Sequence, residues 1–237
     1  MWGLMYKQFR SRGPAGILDH PATSNPAILN AGSLDALLAL ERIGTRRSFA
    51  REDEIYAESD LSDGWYRVVS GSVRICKLLA DGRRQISAFC FTDDCFGLPA
   101  SGTRIASAEA IGDVVVMRYP RSAAERLIDE NPLLVRDLYD RMLRELTHAQ
   151  TRMLLLGRMT ASERVASFLL EISERQDTPR ALELAMSRND IADYLGLTIE
   201  TVCRVLSGFR RDGAIAIPTP HRIELCDREF LEALCET

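Results

Sequence analysis

The chain contains no apolar run near the roughly 18 residues that a membrane-spanning helix needs, which excludes that class. Its opening, MWGLMYKQFRSRG, lacks the sustained apolar core of a secretory leader, so a cytoplasmic protein without a membrane partner is expected. Histidine is scarce: His20, His148 and His221 all lie outside the stretch that reads as strands. A metalloenzyme on a cupin-like barrel gathers His and Glu on its strands, so an enzyme of that kind is excluded and no catalytic residue is assigned. The six cysteines, Cys76, Cys90, Cys95, Cys203, Cys226 and Cys235, form no Cys-x-x-Cys pair and have no histidine beside them. They point to dispersed thiols rather than a metal site, and a cytosolic chain disfavours disulfides. No metal and no cofactor is expected. Positive charge is not in excess either: 30 Lys and Arg against 34 Asp and Glu give a net charge of −4.

The charge is unevenly placed. Residues 199–211 carry Arg204, Arg210 and Arg211 against the single acid Glu200, whereas Glu52, Asp53, Glu54, Glu58, Asp60 and Asp63 crowd a distant segment. A weakly basic segment on an acidic body should bind polyanions weakly and in a salt-sensitive way where it relies on charge alone.

That segment lies in the most informative stretch, SRNDIADYLGLTIETVCRVLSGFRR at 187–211. Ile191, Leu195, Leu197, Val202 and Val205 are spaced as two short helices packed at a steep angle require, with the small Ala192 where they cross. Gly196 falls in the turn, where a positive φ is needed. Ser187 and Thr198 stand where N-caps belong. The pattern predicts a helix-turn-helix whose second helix enters the DNA major groove. Expected base contacts are Ile199, Glu200, Cys203 and Arg204. Arg bonds guanine O6 and N7 together, and Glu accepts from cytosine N4. Glu200 and Arg204 also have the spacing of a surface ion pair. Expected phosphate contacts are Ser187, Arg188, Thr198, Thr201, Ser207 and Arg210, with Arg211 close by. Cys203 is a candidate redox switch: a cation lowers a thiol's pKa, and an acidic oxidation product would repel DNA. A passive packing thiol is the competing reading.

The rest of the chain divides by pattern. Residues 1–33 form an irregular arm. Ser33 can cap a short helix containing Leu34, Leu37, Leu38 and Leu40. From about 43 to 120 the pattern is of short strands, such as Trp65–Val69, Ser72–Leu79 and Arg84–Phe89, with Asp81-Gly82 as a hairpin turn. Val114–Met117 reads as a closing strand buried on both faces. Such strands argue for a jelly-roll or small barrel over 34–129. Asn131-Pro132 reads as cap and first residue of a long helix over 130–158. There Val135, Tyr139, Met142, Leu146, Ala149, Met153 and Leu156 step 4-3-4-3-4-3, the spacing of a coiled-coil dimer seam. The same stripe would serve a helix lying on its own barrel. Thr160-Ala161-Ser162-Glu163 is a capping box that opens the unit over 159–237. A hairpin, 214–217 and 222–225 around Pro218-Thr219-Pro220-His221, forms a wing whose tip, His221 and Arg222, faces phosphate or water.

The fold class is therefore α+β: an N-terminal jelly-roll barrel, a long dimerisation helix and a C-terminal winged helix-turn-helix. This layout resembles the CRP/FNR family of bacterial transcription regulators. The motifs DIADYLGLTIETVCRVL, LLGRMTASERVASFLL and LLADGRRQISAF look most like its FixK-type branch. The resemblance implies a homodimer on double-stranded DNA at a palindrome such as TTGAT-N4-ATCAA, activation by contact with RNA polymerase, and control of low-oxygen respiration and nitrogen-fixation genes. The family's E-x-x-x-R falls on Glu200 and Arg204, and Cys203 stands where the FNR branch commonly has Ser. The FNR iron–sulfur sensor needs an N-terminal cysteine cluster, and no cysteine precedes Cys76. The cyclic-nucleotide branch uses a Gly-Glu pair and an Arg-Ser/Thr pair. Here FGLPASGTRIASAEA has Leu98 in the Glu position, and Arg104 is followed by Ile105. A barrel that binds some other small effector is the alternative.

Overall fold

The computed structural model describes residues 41–98, 102–132, 159–178 and 180–235, with positions 135, 136, 139, 143, 146, 147, 150 and 157 between them. The expected arm at 1–33 and the helix after Ser33 lie outside the described residues. Eight short strands come first: β1 (Thr45–Phe49), β2 (Glu54–Tyr56), β3 (Gly64–Ser70), β4 (Val73–Leu78), β5 (Arg84–Cys90), β6 (Cys95–Phe96), β7 (Ser107–Ala110) and β8 (Val114–Pro120). They pair antiparallel into two sheets, ordered β1-β8-β3-β6 and β2-β7-β4-β5. Strand alternation sends Tyr66, Val68, Val114 and Val116 of the first sheet against Tyr56, Val73, Cys90, Ala108 and Ala110 of the second, and these form one buried cluster. The β4–β5 hairpin turns at Asp81-Gly82 as expected. Gly82 has φ +83°, and Asp81 Oδ1 accepts from the Arg83 amide at 3.0 Å.

One expectation is corrected here. β8 is not buried on both faces: Val114 and Val116 are buried, but Val115 and Met117 are half-buried. Its outer face has only partial cover, from a helix, α1 (Arg121–Glu130), that the sequence pattern had not suggested. Ala124 and Leu127 of α1 pack with Trp65, Tyr119 and Met117. Asn131 Nδ2 donates to the Leu127 carbonyl at 2.7 Å and closes α1. The next helix starts at Pro132, and the Val135 amide donates to the Asn131 carbonyl at 3.2 Å.

The described positions of that connecting helix include Val135, Tyr139, Leu143 and Leu146, all exposed and apolar at helical spacing. Met142, Ala149, Met153 and Leu156 of the expected seam lie outside the described residues.

The C-terminal unit comprises α2 (Ala161–Arg175), β9 (Ala181–Glu183), α3 (Arg188–Leu195), α4 (Ile199–Arg211), β10 (Ile215–Thr219), β11 (Arg222–Leu225) and α5 (Arg228–Cys235). The capping box at the start of α2 is formed: the Glu163 amide donates to Thr160 Oγ1 and the Thr160 amide to Glu163 Oε2. The expected wing gains a third strand, in the order β10-β11-β9. Val165, Phe168, Leu169 and Ile172 of α2 bury against Ile191, Leu195, Val202, Leu206, Ile223 and Leu231.

This core does not stop at the unit's edge. It continues into the strand sandwich through Ile86 and Phe89 of β5. The Phe89 ring lies 4.9 Å from that of Tyr194 and meets Phe168 edge-on at 6.4 Å. Arg175 adds polar contacts, donating to the Phe89 carbonyl at 3.1 Å and pairing with Asp94. No helix among the described residues is long and apolar enough to cross a membrane. Phe89→Ala is expected to destabilise the protein by about 3–5 kcal/mol, the usual cost of deleting a buried aromatic ring. Scanning calorimetry is expected to show one transition for the parent and two for this variant, as the shared core is lost.

Candidate nucleic-acid interface

Local sequence dictates the two-helix reader. Ser187 precedes α3 in extended conformation, and its Oγ accepts from the Asp190 amide at 3.1 Å while Asp190 Oδ2 accepts from the Ser187 amide at 3.0 Å. The Ser187 hydroxyl hydrogen is also committed, to Asp190 Oδ2 at 2.7 Å. Gly196 ends α3 in the left-handed conformation, φ +63°, which an L side chain adopts only with strain. Thr198 then caps α4, accepting from the Thr201 amide at 3.3 Å. Val202, Leu206 and Phe209 point into the core, and Ala192 sits buried at the crossing.

The opposite face of α4 is open. Ile199, Glu200, Cys203, Arg204 and Ser207 are exposed, and Thr201 is half-buried. The expected base-contact residues therefore share one free surface. No ion pair joins Glu200 to Arg204 among the described residues. Arg204 Nη2 instead donates to Thr201 Oγ1 at 3.4 Å, and the Glu200 backbone amide and the Thr198 hydroxyl hold the Glu200 carboxyl below its ordinary range. The N-terminal end of the α4 dipole favours an anion there. Arg210 and Arg211 stand exposed at its far end.

Beside α4, the wing leaves a cleft of about 330 Å³ lined by Arg188, Cys203, Leu206, Ser207 and residues 217–220. Arg188 is half-buried in it, and its Nη1 has no hydrogen-bond partner. Desolvation lowers the Arg188 pKa from its ordinary value, and the Cys203 thiol opposes that shift. At the wing tip His221 folds back, with Nδ1 3.0 Å from the Leu184 carbonyl, while Arg222 faces outward and pairs with Glu224 and Glu183.

The face of α3 away from α4 meets the strand sandwich. Asp190 is only 3% exposed. Its Oδ1 receives Arg84 Nη2 at 2.5 Å and Arg74 Nη1 at 3.2 Å. Burial pushes the Asp190 carboxyl up, but the hydrogen bonds from Ser187 and the charges of Arg74 and Arg84 outweigh it, and the pKa lies below the ordinary value. Nothing in the spacing of the sequence announced these contacts, which join positions more than 100 residues apart.

Inside the sandwich, Arg104 is 6% exposed and donates to the carbonyls of Gly97 and Gly64. Its guanidinium carbon lies 4.3 Å above the Tyr56 ring and 5.7 Å from that of Tyr66. Tyr56, Tyr66 and Phe96 stack on one another and fill the interior behind it.

Comparison with known proteins places these features in context. The cyclic nucleotide-binding domain family matches residues 46–131, and the Crp-like helix-turn-helix domain family matches residues 163–234. The chain is 41% identical over 232 residues to the nitrogen fixation regulation protein FixK of Azorhizobium caulinodans, covering 93% of this chain and 94% of that one. It is 32% identical over 201 residues to the transcriptional activator protein FnrL of Cereibacter sphaeroides, covering 81% of each. The solved structure of FixK2 from Bradyrhizobium japonicum superposes with a TM-score of 0.78 at 43% identity, over 81% of this chain and 97% of that one.

The described residues do not fit a cyclic nucleotide. A cyclic phosphate needs a free cation, and both Nη groups of Arg104 are committed to backbone carbonyls and its face to Tyr56, with only the buried Nε left without a hydrogen-bond partner. Leu98, 44% exposed, supplies no carboxylate for a ribose hydroxyl.

Two outcomes follow from the geometry of the reader. Gly196→Ala forces a side chain into the left-handed region and is expected to cost about 1–2 kcal/mol, read as a lower denaturant midpoint at unchanged slope. Asp190 has a depressed folded pKa, so its stabilising contribution is complete above the unfolded value of about 3.9 and is lost as pH falls through the folded one. Stability measured by denaturation is expected to fall in that acid range, and Asp190→Asn is expected to flatten the fall.

Proposed function

The chain belongs to the CRP/FNR family of transcription regulators, on its FixK-type branch, and from that premise we propose that it works as a homodimer activating transcription from a TTGAT-N4-ATCAA-like palindrome. The proposed units are a sandwich over 34–129, a dimerisation helix over 130–158 and a winged helix-turn-helix over 159–237, with the arm at 1–33 outside them. DNA binding is the family's activity, and the chemistry is recognition rather than catalysis.

The observation that carries the reading is the free face of α4. Ile199, Glu200, Cys203 and Arg204 present an apolar contact, an acceptor, a weak thiol donor and a forked donor on one open surface, above a buried face that fixes their direction. Ser187, Arg188, Thr198, Thr201, Ser207 and Arg210 surround it as the proposed phosphate contacts. Cys203 has thiol chemistry available beside Arg188, and an acidic oxidation product there would weaken DNA binding.

The dimer reading rests on the connecting helix. Val135, Tyr139 and Leu146 are 45%, 59% and 54% exposed, with Leu143 on the same stripe. An apolar stripe of that length open to water is what a second copy would cover, with Met142, Ala149, Met153 and Leu156 completing the seam. Control of nitrogen-fixation genes is proposed from the names of the FixK relatives, and contact with RNA polymerase in the cytoplasm and control of low-oxygen respiration from the family resemblance. A small effector in the sandwich is the second reading, and the internal commitments of Arg104 weigh against it.

Glu200→Ala and Arg204→Ala are each expected to weaken binding to the palindrome by about 1–3 kcal/mol and to relax selectivity at one base step. Arg210→Ala is expected to weaken palindrome and scrambled duplex alike. Anisotropy titrations at fixed salt read all three. Full selectivity in the Glu200 and Arg204 variants would sink the assignment.

A further inference from the structure

We infer that the sandwich residues Arg84, Gln85 and Arg74 are positioning residues for DNA reading, clamping α3 through Asp190 and Asp193 and so setting the attitude of α4. The inference rests on the DNA-reading function proposed above and adds the part of the chain that aims it.

The geometry begins with the GRRQI segment of the β4–β5 hairpin, which the DNA-reading face does not use. Asp190 and Asp193 lie three apart on α3 and therefore share a face. Arg84 bridges them, with Nη2 2.5 Å from Asp190 Oδ1 and Nε 2.8 Å from Asp193 Oδ2. Its neighbour Gln85 donates from Nε2 to the Asp193 backbone carbonyl at 2.7 Å. Arg74 reaches Asp190 from β4, and is itself held by Glu109 Oε2 at 2.7 Å and by Glu52 Oε2 at 2.5 Å.

Gln85 answers a local need. A helix leaves its last four carbonyls without intrahelical partners. In α3 the Asp193 carbonyl goes to Gln85, the Leu195 carbonyl accepts from Arg164 of α2 at 3.0 Å, and the Ala192 carbonyl accepts from the amides that follow the helix. Both ends of α3 are thus fastened to other elements, and one of those elements is the sandwich.

These bonds do what the apolar contact beside them cannot. The packing of Phe89 on Tyr194 and Phe168 holds the two units together, but apolar contact is non-directional and tolerates sliding. A forked guanidinium between two carboxylates has one geometry. Since α3 and α4 cross through a shared core, fixing α3 fixes α4. A head held in its reading attitude before DNA arrives avoids the ordering cost of binding. The reading face of α4 is open in this docked arrangement, so the clamp presents the head rather than hiding it.

The test is a double-mutant cycle in the full-length protein with Arg84→Gln, Asp193→Asn and the pair. Both side chains are partly exposed, and the Ser187–Asp190 capping box is left intact. Affinities are measured for the palindrome and for a scrambled duplex, with melting temperatures alongside. Each single change is expected to weaken palindrome binding about five- to tenfold, and the double change no further, as coupling between contacting residues requires. Scrambled-duplex affinity is expected to stay within about twofold, because phosphate contacts are untouched. Gln85→Ala, which removes no charge, is expected to give a smaller loss of about threefold with little change in melting. Single variants that read the palindrome like the parent, losses that multiply in the double variant, or equal losses on both duplexes would each overturn the inference. A parent protein that does not distinguish the two duplexes would overturn the palindrome reading itself, and a positioning role for the clamp with it.

Discussion

The buried carboxylate of Asp190 is the constraint on which the rest of the molecule leans. One oxygen closes the cap of α3 with Ser187, and the other receives two arginines from the strand sandwich. A charge so enclosed is tolerable only with all of these partners present. Removing one partner from such a group commonly costs about 3–5 kcal/mol, although the intact pair adds little net stability over apolar packing. Its value is directional. The same residue that starts the first helix of the reader also tells the reader where the sandwich is.

The sandwich in turn is filled by its own side chains. Arg104 satisfies the carbonyls of Gly64 and Gly97, and the rings of Tyr56, Tyr66 and Phe96 occupy the space behind it. Gly97 is required there: a Cβ would come within 2.8 Å of Arg104 Nη1, and the backbone has φ +68°. The sandwich, which matches the cyclic nucleotide-binding domain family over residues 46–131, thus carries the reading head, with the two Nη groups of Arg104 in internal use. Ion pairs and a shared core join sandwich and head.

The reader was legible in the sequence because its constraints are local. Caps at Ser187 and Thr198, a positive φ at Gly196 and a helical stripe at Ile191, Val202 and Leu206 all act within a few residues of each other. The strands were legible for the same reason, through alternation and the Asp81-Gly82 turn. The bond from Asn131 to the Leu127 carbonyl was not legible, because an amide side chain can serve the helix on either side. Helix α1 has only the short apolar stripe Ala123, Ala124, Leu127 and Ile128, which the longer pattern that follows overshadowed. The clamp was illegible because it joins Arg74 and Arg84 to Asp190 across more than 100 residues, a distance over which spacing carries no information. Arg104 was visible as a residue out of its family context, but its capture by Gly64 and Gly97 depends on the closed sandwich.

The central claim is that the head is already held in reading position without any small molecule. The most direct measurement is a fluorescence-anisotropy titration of the purified, reduced, effector-free protein against TTGAT-N4-ATCAA and a scrambled duplex. Tight binding to the first and weak binding to the second, unchanged by added cyclic nucleotide, is the predicted result. Equal weak binding to both that becomes selective only when an effector is added would contradict it.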